Sequence, residues 1–578
     1  MKVSGSPFGR SVSQLAAGEL AEAASVAFGV VGNGNAHFVD ALVATGLAFT
    51  PTRHEAGAVA AADGFVRASG RLAIATTTYG PGFANAITPL AEAVMARSPL
   101  LLVTGAPPSV RRPWDIDQTA IAQAVGALTV TLSVADAESE LRHAIELTRS
   151  ERRPVVVEIP YDISTHPVGA TTSPPRRPSL SITDAAPVVR AAVVGTAKGR
   201  AEDTEDQARR VAEAARILVD AEQPLVVAGN GALLAGMIGE LEDLAGALGA
   251  PTATTAVAQG AFGPGVASFG VVGGFSDERS AELISSADAV LVVGASLNPF
   301  STRFGRAFGS ARVIRIDLDP APTQVSVDFS LQGDAAALVP ALCSAVRAID
   351  AAPAGWTAKL GVSGPQAPER PASQLAPDGR LDPRALILRL DELLPQRFRL
   401  VQDIGHSISW APRYLSRDAN LPPIFMGSAF QSTGLGLLGA IGACAASRGE
   451  LVLAAMGDGS ALMALADLDS LARSKAKCAV LVWNDAAYNA EVIQYANAQG
   501  LSSTPMLIDE ADFAAAARAV GGTGSTIRTL ADLDGFAAWL ESGSGLHVLD
   551  CRISRLIEAP FMREITASVV RHDARTEK

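Results

Sequence analysis

Residues 457–491 read GDGSALMALADLDSLARSKAKCAVLVWNDAAYNAE. An apolar run at 451–456 enters the polar piece Gly457-Asp458-Gly459-Ser460, and a second at 478–483 runs into Asn484-Asp485. Between them Leu465, Leu468 and Leu471 or Ala472 recur at helical spacing, while Asp469 and Arg473 stand four apart on the other face. The stretch reads as strand, helix, strand, with Ser460 expected to cap the helix. A right-handed crossover of this kind puts both strands in one sheet with their carboxyl ends on one edge. Asp458 and Asp485 then become neighbours beside a helix N-terminus. Mg²⁺ takes hard oxygen ligands, usually one or two carboxylates plus phosphate oxygens. Glycines at 457 and 459 allow close backbone approach, and the amides after Gly459 favour an anion. Taken singly, either acid reads equally well as a polar corner.

The same alternation continues outward. Apolar strand-like runs occur in LAIATTT, LLLVTG and PVVVEI, then in PLVVAGNG, AVLVVGA and RVIRIDLD, then in RLVQDIG, LVLAAMGDG and AVLVWND. Runs apolar throughout fit parallel strands covered on both faces. Pro-, Ser- and Ala-rich stretches at 171–187 and 351–379 separate three blocks. The expected fold is α/β, three doubly wound parallel-sheet domains, over 1–175, 190–350 and 380–565.

At 578 residues the chain exceeds one hydrophobic core. Hydrophobic residues are 48% and charged residues only 18%, with a mean hydropathy of +0.24, which points to surface covered by a partner subunit. The net charge is −12 and no basic patch carries interleaved aromatics, which argues against nucleic acid. No run reaches membrane-spanning length and the first residues lack an apolar signal core, so a cytoplasmic protein is expected. Cys343, Cys444, Cys478 and Cys551 lie far apart and read as free thiols. Two Gly-x-Gly turns, at 32–34 and 229–231, lack the third glycine of a dinucleotide fingerprint, with His37 and Leu234 in its place. No P-loop is present.

The opening segment resembles the metal motif of thiamine diphosphate enzymes, with a 24-residue spacer from Gly459 to Asn484. RHEAGAVAAADGFVRASG (53–70) resembles the segment carrying their activating glutamate. TYGPGFANAITPLAEAVMARSPLLLVTGAPP (78–108) resembles the next turn and helix of acetolactate synthase and its relatives. AEQPLVVAGNGALLAG and ADAVLVVGASLN resemble the central domain, and QDIGHSISW (402–410) resembles the diphosphate loop. The resemblance spans nearly the whole chain in order. It implies thiamine diphosphate and Mg²⁺ as cofactors, with Asp458, Asp485 and the Ala487 carbonyl as metal ligands. Gly405, His406, Ser407, Gly457, Gly459 and Ser460 would meet the diphosphate, and Pro81 and Asn85 the pyrimidine. Glu55 would hydrogen-bond N1′ of that pyrimidine and promote the tautomer that activates the cofactor. It further implies a homodimer or homotetramer, with Glu55 from one subunit facing the diphosphate site of another.

Departures from the pattern bear on the reaction. Asp485 stands where Asn is usual. Thr433, in FQSTGLGLLGAIGA (430–443), stands where a large apolar residue bends the cofactor. Gln118 in RRPWDIDQ is displaced from a glutamine position of the synthases, and Arg111 or Arg112 could instead meet an anionic substrate. Glu491 lies six residues beyond Asp485, where related decarboxylases carry a proton-handling glutamate, and His54, adjoining Glu55, is a further catalytic candidate expected to line the same cavity. Arg303 is spaced differently from the synthases' flavin-contacting arginine, so FAD is not carried over. The resulting reading is a carbon–carbon lyase or carboligase of acetolactate-synthase-like build acting on 2-oxo acids or related carbonyl compounds. The alternatives are a simple non-oxidative 2-oxo acid decarboxylase using Glu491, and a non-catalytic homologue.

Overall fold

The short apolar runs become strands because each is covered by helices on both sides. The computed structural model describes residues 9–168, 201–263, 265–318, 325–360, 370–416, 418 and 421–567. They form three parallel sheets of six strands each. The first contains β1 (Ala27–Gly29), β2 (Phe49–Pro51), β3 (Ile74–Thr77), β4 (Leu101–Ala106), β5 (Leu128–Thr131) and β6 (Val155–Pro160), in the order β2-β1-β3-β4-β6-β5. The second contains β7 (Pro224–Ala228), β8 (Thr252–Thr254), β9 (Ser268–Val271), β10 (Ala289–Val293), β11 (Arg312–Asp317) and β12 (Phe329–Gln332), ordered β12-β11-β10-β7-β8-β9. The third contains β13 (Phe398–Asp403), β14 (Ile424–Met426), β15 (Leu451–Gly457), β16 (Cys478–Asn484), β17 (Thr523–Ile527) and β18 (Leu546–Arg552), ordered β14-β13-β15-β16-β18-β17.

The first and third sheets therefore share one topology. Numbered within its own sheet, each runs 2-1-3-4-6-5. The helix after the second strand is Glu55–Ser69 in one case and Gly436–Ala446 in the other. These two equivalent helices pack together in a core shared by both domains, with Val59, Phe65, Leu437 and Ile441 buried in it. Small residues set the approach. A Cβ on Gly64 would lie 2.2 Å from the Gly439 carbonyl oxygen, and one on Gly442 only 1.8 Å from that of Ala61. The central sheet, read from β9, runs 3-2-1-4-5-6, the order of dinucleotide-binding folds. At its switch point the turn at Gly229 and Gly231 lies directly against Gly294.

The proline-rich stretch at 171–187 lies outside the described residues. Of the stretch at 351–379, residues 351–360 and 370–379 are described. A short helix, Trp356–Leu360, buries Trp356 edge-on against Phe269, a single large side chain that outweighs the weak periodicity around it. All four cysteines are buried free thiols. Among the described residues no helix is long and apolar enough to cross a membrane.

Candidate active site

The carboxyl edge of the third sheet gathers the polar strand ends. β15 and β16 pair in parallel, with Gly457 opposite Trp483, so Asp458 and Asp485 emerge side by side. Gly457 caps the helix Asp458–Met463 in extended conformation. Ser460 thus lies inside the first turn and is not the cap, because the chain turns helical three residues earlier than its side chain alone indicates. The helix also breaks after Met463: a short 3₁₀ turn, Leu465–Asp467, precedes the helix Leu468–Ser474, leaving Leu465 37% exposed. Asp469 and Arg473 do form the expected exposed pair, at 2.8 Å.

Asp458 Oδ1 accepts the Gly459 N–H and its Oδ2 the Ala486 N–H, both at 2.9 Å. Ala486 pays a conformational penalty for this bond, with φ at +59°, a region that favours glycine. Burial pushes Asp458 up to about 6. Burial and the neighbouring Asp458 raise Asp485 well above the usual carboxylate range. Two buried acids whose charges act on each other resist ionising together unless a cation joins them. The Asn484 side chain turns away to Asp550 Oδ1, at 2.8 Å, and Arg380 Nη2 holds the Asn484 carbonyl at 2.9 Å. Only Asp485 of that dipeptide faces the edge.

The loop after β13 closes the cradle. Gly405, at φ +109°, makes a turn that a side chain would strain. His406 is buried, which lowers its pKa to about 4. Its Nε2 accepts the Ala559 N–H at 2.9 Å, so the neutral ring carries its proton on Nδ1, 3.3 Å from Asn489 Nδ2 and 3.9 Å from Asp485 Oδ2. Ser407 Oγ lies 3.9 Å from where a Gly457 Cβ would stand and is buried without a hydrogen-bond partner, as is Asn489 Oδ1. The Tyr488 ring covers Gly459, 2.5 Å from a hypothetical Cβ. These are features a diphosphate and a hard cation fit: paired buried carboxylates, orphaned polar oxygens and glycines that leave the backbone open. Among the described residues no group of three or more His, Cys, Asp and Glu side chains could hold a metal alone. A cation here would therefore complete its shell with carbonyl, phosphate and water oxygens.

At the first domain's edge, Glu55 opens its helix and its Oε2 accepts from Asn85 Nδ2 at 3.0 Å. Asn85 ends the short helix that Pro81 begins. Glu55, Pro81 and Asn85 are thus brought together. His54 is exposed and its Nδ1 caps the helix by accepting the Ala56 N–H at 3.1 Å. In the same chain this helix starts against the third domain: the Arg53 N–H donates to Asp467 Oδ1 at 2.7 Å, and Gly57 abuts Asp467 Oδ2. Thr433 Oγ1 lies 3.4 Å from Met463 Sδ, at the far end of the Asp458 helix. Glu491 is exposed as a residue, yet desolvation by the protein around its carboxyl raises its pKa. Beyond it the helix widens into a π-helix, Val492–Asn497.

Other residues take places that sequence reasoning left open. Gln118 is buried, accepts the Gly80 N–H at 3.1 Å and donates to the Gly105 carbonyl at 2.7 Å, bracing the turn before Pro81. Arg112 is not free for an anion: it pairs with Asp115 at 2.8 Å, donates to Tyr79 Oη at 3.0 Å and lies over the Tyr79 ring. Arg303 pairs with Glu564 at 3.0 Å. Tyr488, Asn489 and Asp403 were missed. Nothing in their local sequence separates them from ordinary turn and strand-end residues.

Comparison with known proteins gives the class. Residues 10–128 match the thiamine pyrophosphate enzyme N-terminal TPP binding domain, 211–342 the central domain and 403–551 the C-terminal TPP binding domain. The chain belongs to the thiamine diphosphate-dependent enzymes, in their acetolactate synthase-like group of lyases and transferases. It is 25% identical to a probable acetolactate synthase large subunit of Methanocaldococcus jannaschii, over 77% of this chain and 74% of that one. It is 26% identical to the acetolactate synthase isozyme 2 large subunit of Escherichia coli, over 93% and 94%. It is 23% identical to a sulfoacetaldehyde acetyltransferase of Alcaligenes xylosoxydans xylosoxydans, over 96% and 94%. In fold it matches the thiamine diphosphate-dependent 4-hydroxybenzoylformate decarboxylase of Rhodococcus jostii RHA1, with a TM-score of 0.73 at 20% identity, covering 94% of this chain and 99% of that one.

Proposed function

We propose that this chain cleaves the bond next to the carbonyl of a 2-oxo acid, using thiamine diphosphate held by Mg²⁺, and passes the remaining fragment to a second carbonyl compound. The observation that carries this reading is the pair Asp458 and Asp485: two buried acids, the charge of the first raising the pKa of the second, beside the orphaned oxygens of Ser407 and Asn489. Asp458, Asp485 and the Ala487 carbonyl would hold the metal. Gly405, His406, Ser407, Gly457, Gly459 and Ser460 would line the diphosphate, and Thr433 would support the bend of the cofactor. When bound, the thiazolium supplies the nucleophilic carbon and the electron sink.

The protein's own residues do the rest. Glu55 offers its carboxyl to the pyrimidine, with Asn85 orienting one of its oxygens and Pro81 shaping the turn beside it. His54, capping the same helix through Nδ1, stands beside Glu55 as a further candidate for the cavity. Neutral His406 faces Asp485 with Nδ1–H at 3.9 Å and adds no positive charge to the cradle. The active unit would be a homodimer or homotetramer. A second reading, simple decarboxylation with Glu491 returning a proton, rests on the raised pKa of that carboxyl beside the metal turn.

The test has two arms. Calorimetric titration with thiamine diphosphate should show binding that needs Mg²⁺ and is lost in Asp458→Ala; binding that survives both EDTA and the substitution refutes the cradle. Incubation with pyruvate, with and without an acceptor aldehyde, then separates the reactions. Acetoin-type products support carboligation, and free aldehyde alone supports the Glu491 reading.

A further inference from the structure

Two buried acids and a partly buried arginine of the first domain meet under the loop that carries Thr433. Asp63 and Glu92 are fully buried, with Arg67 between them. Arg67 Nε and Nη2 each donate to Asp63 at 2.7 Å, Nη2 also reaches Glu92 Oε1 at 2.9 Å, and Nη1 donates to the Phe425 carbonyl at 2.7 Å. The second oxygen of Glu92 accepts the Phe430 N–H at 2.7 Å. From the opposite side, Asp403 Oδ2 accepts the N–H groups of Gly434 at 3.1 Å and Gly436 at 2.9 Å, and its Oδ1 accepts that of Ile404 at 2.8 Å.

The loop from β14 to the Gly436–Ala446 helix is therefore held at two places by acids from two domains, and Thr433 stands between them. Asp63 and Arg67, four apart on one helix, already make a complete ion pair. Adding Glu92 buries a second acid against a single arginine, which is costly unless the acid satisfies another donor. The donor it satisfies is the loop amide of Phe430.

We propose that Glu92 is a positioning residue for the cofactor: through Phe430 it fixes the loop that sets Thr433 beneath the thiamine rings, leaving the diphosphate cradle to other residues. This rests on the assignment of Thr433 above. The competing role is purely structural, an ion pair that joins the domains. Glu92→Asp separates the two, because it keeps the charge beside Arg67 and withdraws the carboxylate from Phe430. Glu92→Ala removes both interactions.

Two measurements decide. Hydrogen exchange of the peptide over 427–436 in the full-length protein should quicken in both variants. Affinity for thiamine diphosphate with Mg²⁺ should weaken about tenfold in both, while affinity for inorganic diphosphate with Mg²⁺ stays at the wild-type value. Wild-type exchange and wild-type affinity in Glu92→Asp would overturn the positioning role, as would parallel loss of both ligands. Failure of the wild-type protein to bind thiamine diphosphate would overturn the cofactor reading itself, whatever the exchange shows.

Discussion

A carboxyl group does different work in this chain according to what surrounds it. Glu55 is half-buried at the opening of its helix, with Asn85 on one oxygen, and can offer the other to a ligand. Replacing it by Gln keeps size and hydrogen-bonding capacity but removes the acid. Glu55→Gln should bind thiamine diphosphate near normally and lose about 10²–10⁴-fold in turnover. Near-normal turnover in a steady-state assay would remove Glu55 from its role. Asp403 has no such freedom. It is fully buried and burial pushes its pKa up to about 7 from an ordinary 3.8, against the pull of three backbone N–H groups. Between those two values the folded chain keeps a proton that the unfolded chain has released, so stability falls as pH rises through the window and is level above it. The thermal midpoint of the wild type relative to Asp403→Asn should therefore decline from about pH 4 to about pH 7 and then flatten. A constant difference would show that Asp403 titrates as an ordinary aspartate.

At the scale of elements, the contact between the Glu55–Ser69 and Gly436–Ala446 helices sets the relation of two domains. Gly442→Ala adds one methyl where the Ala61 carbonyl oxygen stands 1.8 Å away. Helix propensity gains at most about 1 kcal/mol from Gly to Ala. Overpacking against rigid backbone costs about 1–3 kcal/mol, so the loss should win and the midpoint should drop. Gly246→Ala is the control: it lies within the helix Ile238–Leu248 with nothing within 4 Å of the added carbon. There the propensity term acts alone and the midpoint should rise slightly. Equal effects in calorimetry would contradict the close approach at Gly442. The strands, and the acids at their ends, were legible in the sequence because a buried parallel strand is an uninterrupted apolar run, and the polar residues that end such runs gather at one sheet edge. The capping by Gly457 and the break after Met463 were not legible. The first depends on the extended conformation of one glycine, and the second on tertiary packing that overrides a continuous helical spacing of leucines. The bracket of Asp63, Arg67, Glu92 and Asp403 was equally hidden, because its members are ordinary helix and strand residues until the fold assembles them.

For the whole molecule, the repeated topology of the first and third domains raises the question of which Glu55 serves which cradle. Within one chain the Glu55 helix begins against Asp467, nine residues beyond Asp458. The family resemblance instead pairs Glu55 of one subunit with the diphosphate site of another. Exposed apolar side chains beside the cradle, Met463 at 58% and Leu556 at 60%, favour the second arrangement, since a covering subunit would bury them. Mixing subunits decides between the two. Glu55→Gln and Asp458→Ala chains are each inactive alone under either arrangement. If each site draws on two subunits, a hybrid dimer combines the intact Glu55 of one chain with the intact Asp458 of the other at one of its two sites. Random reassociation makes half the dimers hybrid, so the mixture should recover about a quarter of wild-type activity. If both residues of a site belong to one chain, every site carries a lesion and mixing restores nothing. Native mass spectrometry of the same mixture, with one variant isotope-labelled, shows that hybrid dimers have formed, so silence in the assay would then place Glu55 and Asp458 of each site in a single chain.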